Sequence, residues 1–283
     1  MRITAFLFVR FSLIMLLWVI WNPLIGFASQ HVELGKVLEG ASGEVSVLFL
    51  DLPEGESILL HTADKHSILV GTGTKGSFEE LKERLDCLAI TSLDQVILPN
   101  LEDSYSGATQ LLIDDIEVKQ LIVAEQGLKW SQELFSSSST EVISWSEETD
   151  YQLHPDLHFS VLKSSHSIVP SLNMDVKIGI DHRLFLANEA SKELEHNWME
   201  KDLSTVNVLK VAEYGKARGT DVEFLEALDP EVAVIFNLHD HIPSSSVLER
   251  LQETWIDTYE TKQHGTIMIK VRDNDYDLFT IRF

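Results

Sequence analysis

The sequence predicts an α/β (α+β sandwich) fold, two mixed sheets packed face to face with helices on their outer surfaces. Three observations predict it. Each half of the chain opens with strands of antiparallel type and continues in alternating strand–helix units. With 44% hydrophobic residues in 283, the chain can build a sizeable core. No linker rich in Pro, Gly or Ser divides the halves, so one domain is expected over 44–283.

The N-terminus stands apart. Arg2 and Arg10 precede and flank an apolar run from Phe11 to Trp21, and Gly26-Phe27-Ala28 supplies the small residues of a cleavage site. A spanning helix needs about 20 apolar residues, and Asn22-Pro23 interrupts this run early. Residues 1–28 read as a signal peptide cleaved after Ala28, with an uncleaved anchor on the outer face of the cytoplasmic membrane as the alternative. Residues 29–43 read as a short leader before the domain.

EVSVLFLDL (44–52), ESILLHT (56–62) and HSILVGT (66–72) read as three strands joined by the tight polar turns PEG and ADK. SFEELKERLDCLA (77–89) reads as an amphipathic helix, with Phe78, Leu81, Leu85 and Leu88 at helical spacing. Ser77 is its expected N-cap, with Glu80 at N3. QVILP, VKQLIVA and EVISW follow as strands, separated by helices in ATQLLIDDI and around LKWSQELF. In the second half HFSVLKS and DVKIGI pair as strands, and HRLFLA, VNVLKVA and EVAVIF alternate with helices in NEASKELEHNWM, TDVEFLEAL and SSVLERLQE. DTYET, GTIMIKV and DLFTIRF close the chain as strands.

Charge and cysteine content exclude some functions. Forty-five acids against 22 bases give a net charge of −23. Such a surface repels phosphate backbones and offers no basic stripe, which argues against a nucleic-acid partner. The single cysteine, Cys87, excludes an internal disulfide and a Cys-rich zinc cluster, and it reads as a small buried apolar residue.

Several motifs suggest chemistry. GTGTKG (71–76) fits a dinucleotide fingerprint between strand and helix. Its strand comes third, after two hairpin partners, so a tight turn is the favoured reading. HPDLH (154–158) has His at i and i+4. Pro155 and the alternation after it favour a strand entry with both imidazoles on one face. SSHS (164–167) puts Ser beside His without the geometry of a nucleophilic pair, and no G-x-S-x-G elbow exists. LHDHIP (239–243 with Leu238) gathers His239, Asp240 and His241 directly after an apolar strand, a common place for a ligand.

Taken in order, these segments resemble a known family. FLDLPEGESILLHT is similar to F-L-D-V-G-Q-G-D-[SA]-I-L, the opening of ComEC-type metallo-β-lactamase-fold domains. These are the hydrolase-like domain of the late competence DNA-uptake protein and its free-standing secreted relatives. ILVGTG resembles I-L-I-D-T-G, and VILPNLEDSYSGA resembles V-I-L-T-H-x-D-x-D-H-x-G-G. LFLANEASKELE resembles L-L-T-G-D-x-x-x-x-x-E, and VLKVAEYGKARG resembles V-L-K-V-x-H-H-G-S. NLHDHIPSSSVLERLQE and YETKQHGTIMI resemble the last two motifs, so the likeness covers about residues 44 to 283.

The resemblance implies a four-layer αββα fold and a dinuclear metal site that activates water. It also implies that the metal ligands are missing here. Asn100 and Tyr105 stand at His positions, Glu102 at the second ligand, Ser104 at an Asp and Gly71 at the Asp of I-D-T-G. Glu189 stands at the metal-bridging Asp, and Glu213-Tyr214 at the His-His pair. His241, with His239 nearby, is the imidazole left. The expected outcome is a pseudo-hydrolase with no cofactor, binding a protein or small molecule in the cell envelope or outside. An alternative keeps Glu102, Glu189, Glu213 and His241, with Asp103 nearby, as an oxygen-rich shell for calcium or magnesium in an exported hydrolase. A dinucleotide-binding protein on GTGTKG is a further alternative.

Overall fold

The protein is described from a computed structural model covering residues 36–283, apart from 137, 166–168, 202, 204–205 and 274. The expected signal peptide, its cleavage point and residues 29–35 of the leader lie outside the described residues, as do His166 and Ser167. No described helix is long and apolar enough to cross a membrane.

Among the described residues, fifteen strands form two sheets. They are β1 Val45–Phe49, β2 Ile58–Thr62, β3 Ser67–Val70, β4 Ser92–Ile97, β5 Glu117–Ala124, β6 Glu141–Trp145, β7 Asp150–His154, β8 Leu157–Leu162, β9 Asn173–Ile178, β10 His182–Leu186, β11 Val208–Lys210, β12 Val232–Ile235, β13 Asp257–Glu260, β14 Thr266–Arg272 and β15 Asp275–Ile281. The first sheet runs β15-β14-β1-β2-β3-β4-β5-β6 and the second β13-β12-β11-β10-β9-β8-β7. In the first, β1, β2 and β3 form the expected antiparallel meander, and β3 to β6 are parallel. In the second, β8, β9 and β10 are antiparallel, and β10 to β13 are parallel.

Apolar side chains of both sheets meet in a central core that includes Phe49, Leu60, Ile97, Trp145, Phe159, Met174 and Val234. Helix Phe78–Cys87 buries Leu81 and Leu85 against the outer face of the first sheet. Helices Lys192–Met199, Val222–Leu228 and Ser245–Glu253 cover the second, burying Trp198, Phe224 and Leu251. A strand between two such layers is buried on both faces, which is why β1 and β12 are apolar runs and not alternating ones. The layering is αββα.

Three local expectations are corrected. Ser77 makes no side-chain cap on the helix that follows it. Its hydroxyl donates to the Glu54 carbonyl (2.8 Å) and accepts the Glu54 N–H (3.1 Å), so it ties down the Pro53-Glu54 loop instead. HPDLH is a hairpin turn: His154 ends β7, opposite Leu157 of β8, and His158 lies opposite Gln152, so the two imidazoles lie on different strands. Leu38 is buried in the outer core of the first sheet, so the packed unit begins before residue 44.

Candidate functional site

The parallel strands set the location. Loops leaving the C-terminal ends of β3, β4, β10, β11 and β12 gather at one end of the sandwich, where α/β proteins place ligands. They surround a cleft of about 710 Å³ whose wall includes Asn100, Glu102, Ser104, Tyr105, Glu189, Glu213 and Tyr214. Seven of the nine residues singled out in the sequence thus meet on one surface. Gly71 lies behind it, and His241 turns its Nε2 to the Tyr214 carbonyl (3.1 Å) without joining the wall.

The loops are knitted by backbone bonds. The Glu56 N–H donates to the Ser104 carbonyl (3.0 Å), Thr72 N–H to the Tyr105 carbonyl (2.8 Å) and Gly73 N–H to the Glu56 carbonyl (3.0 Å). Gly71 and Gly73 sit at φ +76° and +70°, where a side chain is strained. GTGTKG therefore serves as a turn that brings the 53–56 and 103–107 segments together.

Most of the positions that the resemblance sets at metal ligands have another occupation. Asn100 is buried; its Oδ1 accepts the Glu102 N–H (2.7 Å) and its Nδ2 donates to Ser171 Oγ (2.9 Å), linking loops of the two sheets. Tyr105 and Tyr214 are each 3% exposed, with ring centroids 5.8 Å apart, and both belong to the central core. Burial raises both phenols above their ordinary range, so they stay protonated. Glu213 and Tyr214 adopt left-handed backbone angles, φ 45° and 58°. The Glu213 carboxylate binds Arg218 (2.8 Å), Lys216 (3.2 Å) and the Ala190 N–H (3.2 Å). Burial pushes its pKa up, but these donors outweigh burial and hold it below the ordinary value. Glu102 and Asp103 are exposed at the rim, and Ser104 gives its carbonyl to the Tyr214 hydroxyl (3.4 Å). His239 is 73% exposed beside Glu54 (3.2 Å).

Beneath the tyrosines lies a pair that sequence reasoning missed. Lys210 and Glu56 form an ion pair, 1% and 2% exposed. The Lys210 ammonium also donates to the Ala187 carbonyl (2.8 Å) and Asn188 Oδ1 (2.7 Å), and it sits 5.6 Å from the centre of the Tyr105 ring. Burial drives the Glu56 pKa up and the Lys210 pKa down, and their mutual attraction opposes both shifts. The signal was available: a lysine inside the apolar run VNVLKVA needs a buried partner.

These residues do not fit a dinuclear metal site. Among the described residues, no three His, Cys, Asp or Glu side chains are grouped so as to hold a metal ion.

No protein-family model matches the chain. It is 24% identical over 266 residues to ComE operon protein 3 of Bacillus subtilis, covering 82% of this chain and 34% of that protein. Its fold matches the metallo-β-lactamase-fold protein YhfI of Bacillus subtilis with a TM-score of 0.58, at 12% identity, over 76% of this chain and 95% of the other. The chain has the metallo-β-lactamase fold and is similar in sequence to ComE operon protein 3. The same fold recurs in Zn(2+)-bound PqqB of Methylobacterium extorquens, with a TM-score of 0.52 at 10% identity over 80% of this chain and 99% of that one. The chain spans about a third of the length of its Bacillus relative.

Proposed function

We propose that the protein is an exported pseudo-hydrolase: it keeps the scaffold of a metal-dependent hydrolase, has lost the reaction, and acts by binding a ligand or partner in the cell envelope. The observation that carries this reading is the pair Tyr105 and Tyr214. Their buried rings occupy the floor of the cleft where the family resemblance places histidines. A phenol held protonated by burial is a poor ligand for a divalent cation, and the ring volume displaces the water that a metal would activate. Asn100 and Glu213 are committed to loop contacts. Export rests on the character of residues 1–28 and on the kinship to ComE operon protein 3.

The test combines metal analysis and turnover. Purified full chain should hold well under one equivalent of zinc or manganese. It should also leave bis(p-nitrophenyl) phosphate uncleaved with zinc, manganese, magnesium or calcium added. Near two equivalents of metal, lost in the Glu189→Ala/His241→Ala double variant, would overturn the reading.

A further inference from the structure

The cleft wall contains one group that the pseudo-hydrolase reading leaves unexplained. Glu189 is 9% exposed, and its Oε2 accepts the Ser165 N–H (2.8 Å). Its Oε1 is buried and has no hydrogen-bond partner among the described residues. Leaving a buried acceptor unpaired is costly, more so for a carboxylate, so a donor from outside the protein gains what the fold has left unmade. Glu56 also has an unpaired oxygen, but its charge is met by Lys210; Glu189 has no such cation among the described residues.

The surroundings select the donor. Lys192 pairs with Asp221 (2.7 Å), and Lys216 and Arg218 share the one carboxylate of Glu213 (3.2 and 2.8 Å), so the cleft lining sets three cations against the four carboxylates of Glu102, Glu189, Glu193 and Glu213. Glu102 and Glu193 stand at the rim, with no salt bridge of their own among the described residues. The uncompensated charge of the cleft is therefore negative, deepest at Glu189. We propose that this cleft binds a ligand through a primary ammonium group seated on Glu189, either a free amine or the amine of a longer molecule. A charge-assisted N–H to carboxylate bond in a water-poor wall is the strongest hydrogen bond available to that oxygen. Asn188, next to Glu189, has its side chain engaged by Lys210 and the Leu172 carbonyl, which holds the loop bearing the carboxylate in place.

The inference rests on the binding reading of this site, and its test separates the two. The full chain is titrated with 1,5-diaminopentane by calorimetry at pH 7 in EDTA, with N,N′-diacetyl-1,5-diaminopentane and pentanedioate as probes of the same length. Saturable binding of the diamine alone is expected, weakened at least about tenfold by Glu189→Gln, the loss of one charge-assisted bond. The Glu102→Gln/Glu193→Gln variant changes only exposed side chains, so it reports on the field of the cleft if Glu189→Gln fails to fold. It should weaken binding about threefold, in keeping with the weak influence of exposed charges. No diamine binding, binding of the diacetylated probe or of pentanedioate, or affinity unchanged in the folded variants overturns the proposal. A metal-inert protein that ignores the diamine sinks this proposal alone; metal-dependent hydrolysis sinks the reading beneath it.

Discussion

Lys210 of β11 and Glu56 of the β1–β2 loop form a fully buried ion pair that joins the two sheets under the cleft. Breaking such a pair leaves a charge without water or partner, whereas apolar residues can replace both at small net cost. Lys210→Met should lower stability by about 3–5 kcal/mol. Adding Glu56→Leu to it should recover part of the loss and not deepen it, the Ala187 and Asn188 oxygens being left without their donor. Urea unfolding of the two singles and the double gives the coupling energy directly; purely additive losses would show that the two groups do not act as a pair.

Gly71 stands where the resemblance places an aspartate, and its neighbourhood has closed over the position. A Cβ there would lie 2.5 Å from the Glu56 carbonyl oxygen, at a φ of +76°. Gly71→Asp, a reversion toward the family pattern, should destabilise the protein by at least about 2 kcal/mol from left-handed strain and contact with the backbone. Thermal unfolding checks it. An unchanged midpoint would mean that the loop relaxes freely.

Tyr214 fills the cleft floor between Tyr105 and His241. Tyr214→Ala should cost about 3–5 kcal/mol through lost burial and a residual cavity, on the scale of other large-to-small core changes. A loss below about 1 kcal/mol in chemical denaturation would place the ring outside the cooperative core.

Glu213 makes a pH-dependent contribution of known sign. Its folded pKa lies below the ordinary 4.5, so its contribution is fully present above that value and is lost as pH falls through the lower, folded value. Acidification below about 4.5 should therefore weaken the native protein more than a Glu213→Gln variant, with the two curves parallel above about pH 6. Urea midpoints from pH 3 to 7 test this. Curves that diverge on the alkaline side would contradict it.

Much of this architecture could be read in advance because the local signals agreed with the global ones. The β1–β2–β3 meander followed from apolar strands between short polar turns, and the outer helices from stripes such as Phe78, Leu81 and Leu85. Motif order brought the 100–105, 189 and 213–214 segments together on one wall. What escaped was decided by tertiary partners. Ser77 looked like a cap because capping is the local use of a serine before a helix, but a loop 23 residues earlier in sequence claimed its hydroxyl. HPDLH mimicked a periodic pair because five residues cannot distinguish a strand entry from a hairpin turn. Lys210 in its apolar run signalled a buried partner, but which residue that was could not be read, because 154 positions separate it from Glu56. His241 keeps an imidazole near the site, but the backbone carbonyl of Tyr214 takes its hydrogen bond.

The two tyrosines have a consequence for how this molecule can change. They carry the central core up to the cleft floor, whereas Glu102, Lys192, Glu193 and Arg218 around the mouth are exposed. Exchanges at the mouth leave folding almost untouched, since surface substitutions cost little, while exchanges at the floor disturb the whole fold. Tolerance to substitution is thereby high at the mouth and low at the floor. A lineage built on this scaffold is free to vary its rim one residue at a time, with the floor held constant by the need to stay folded.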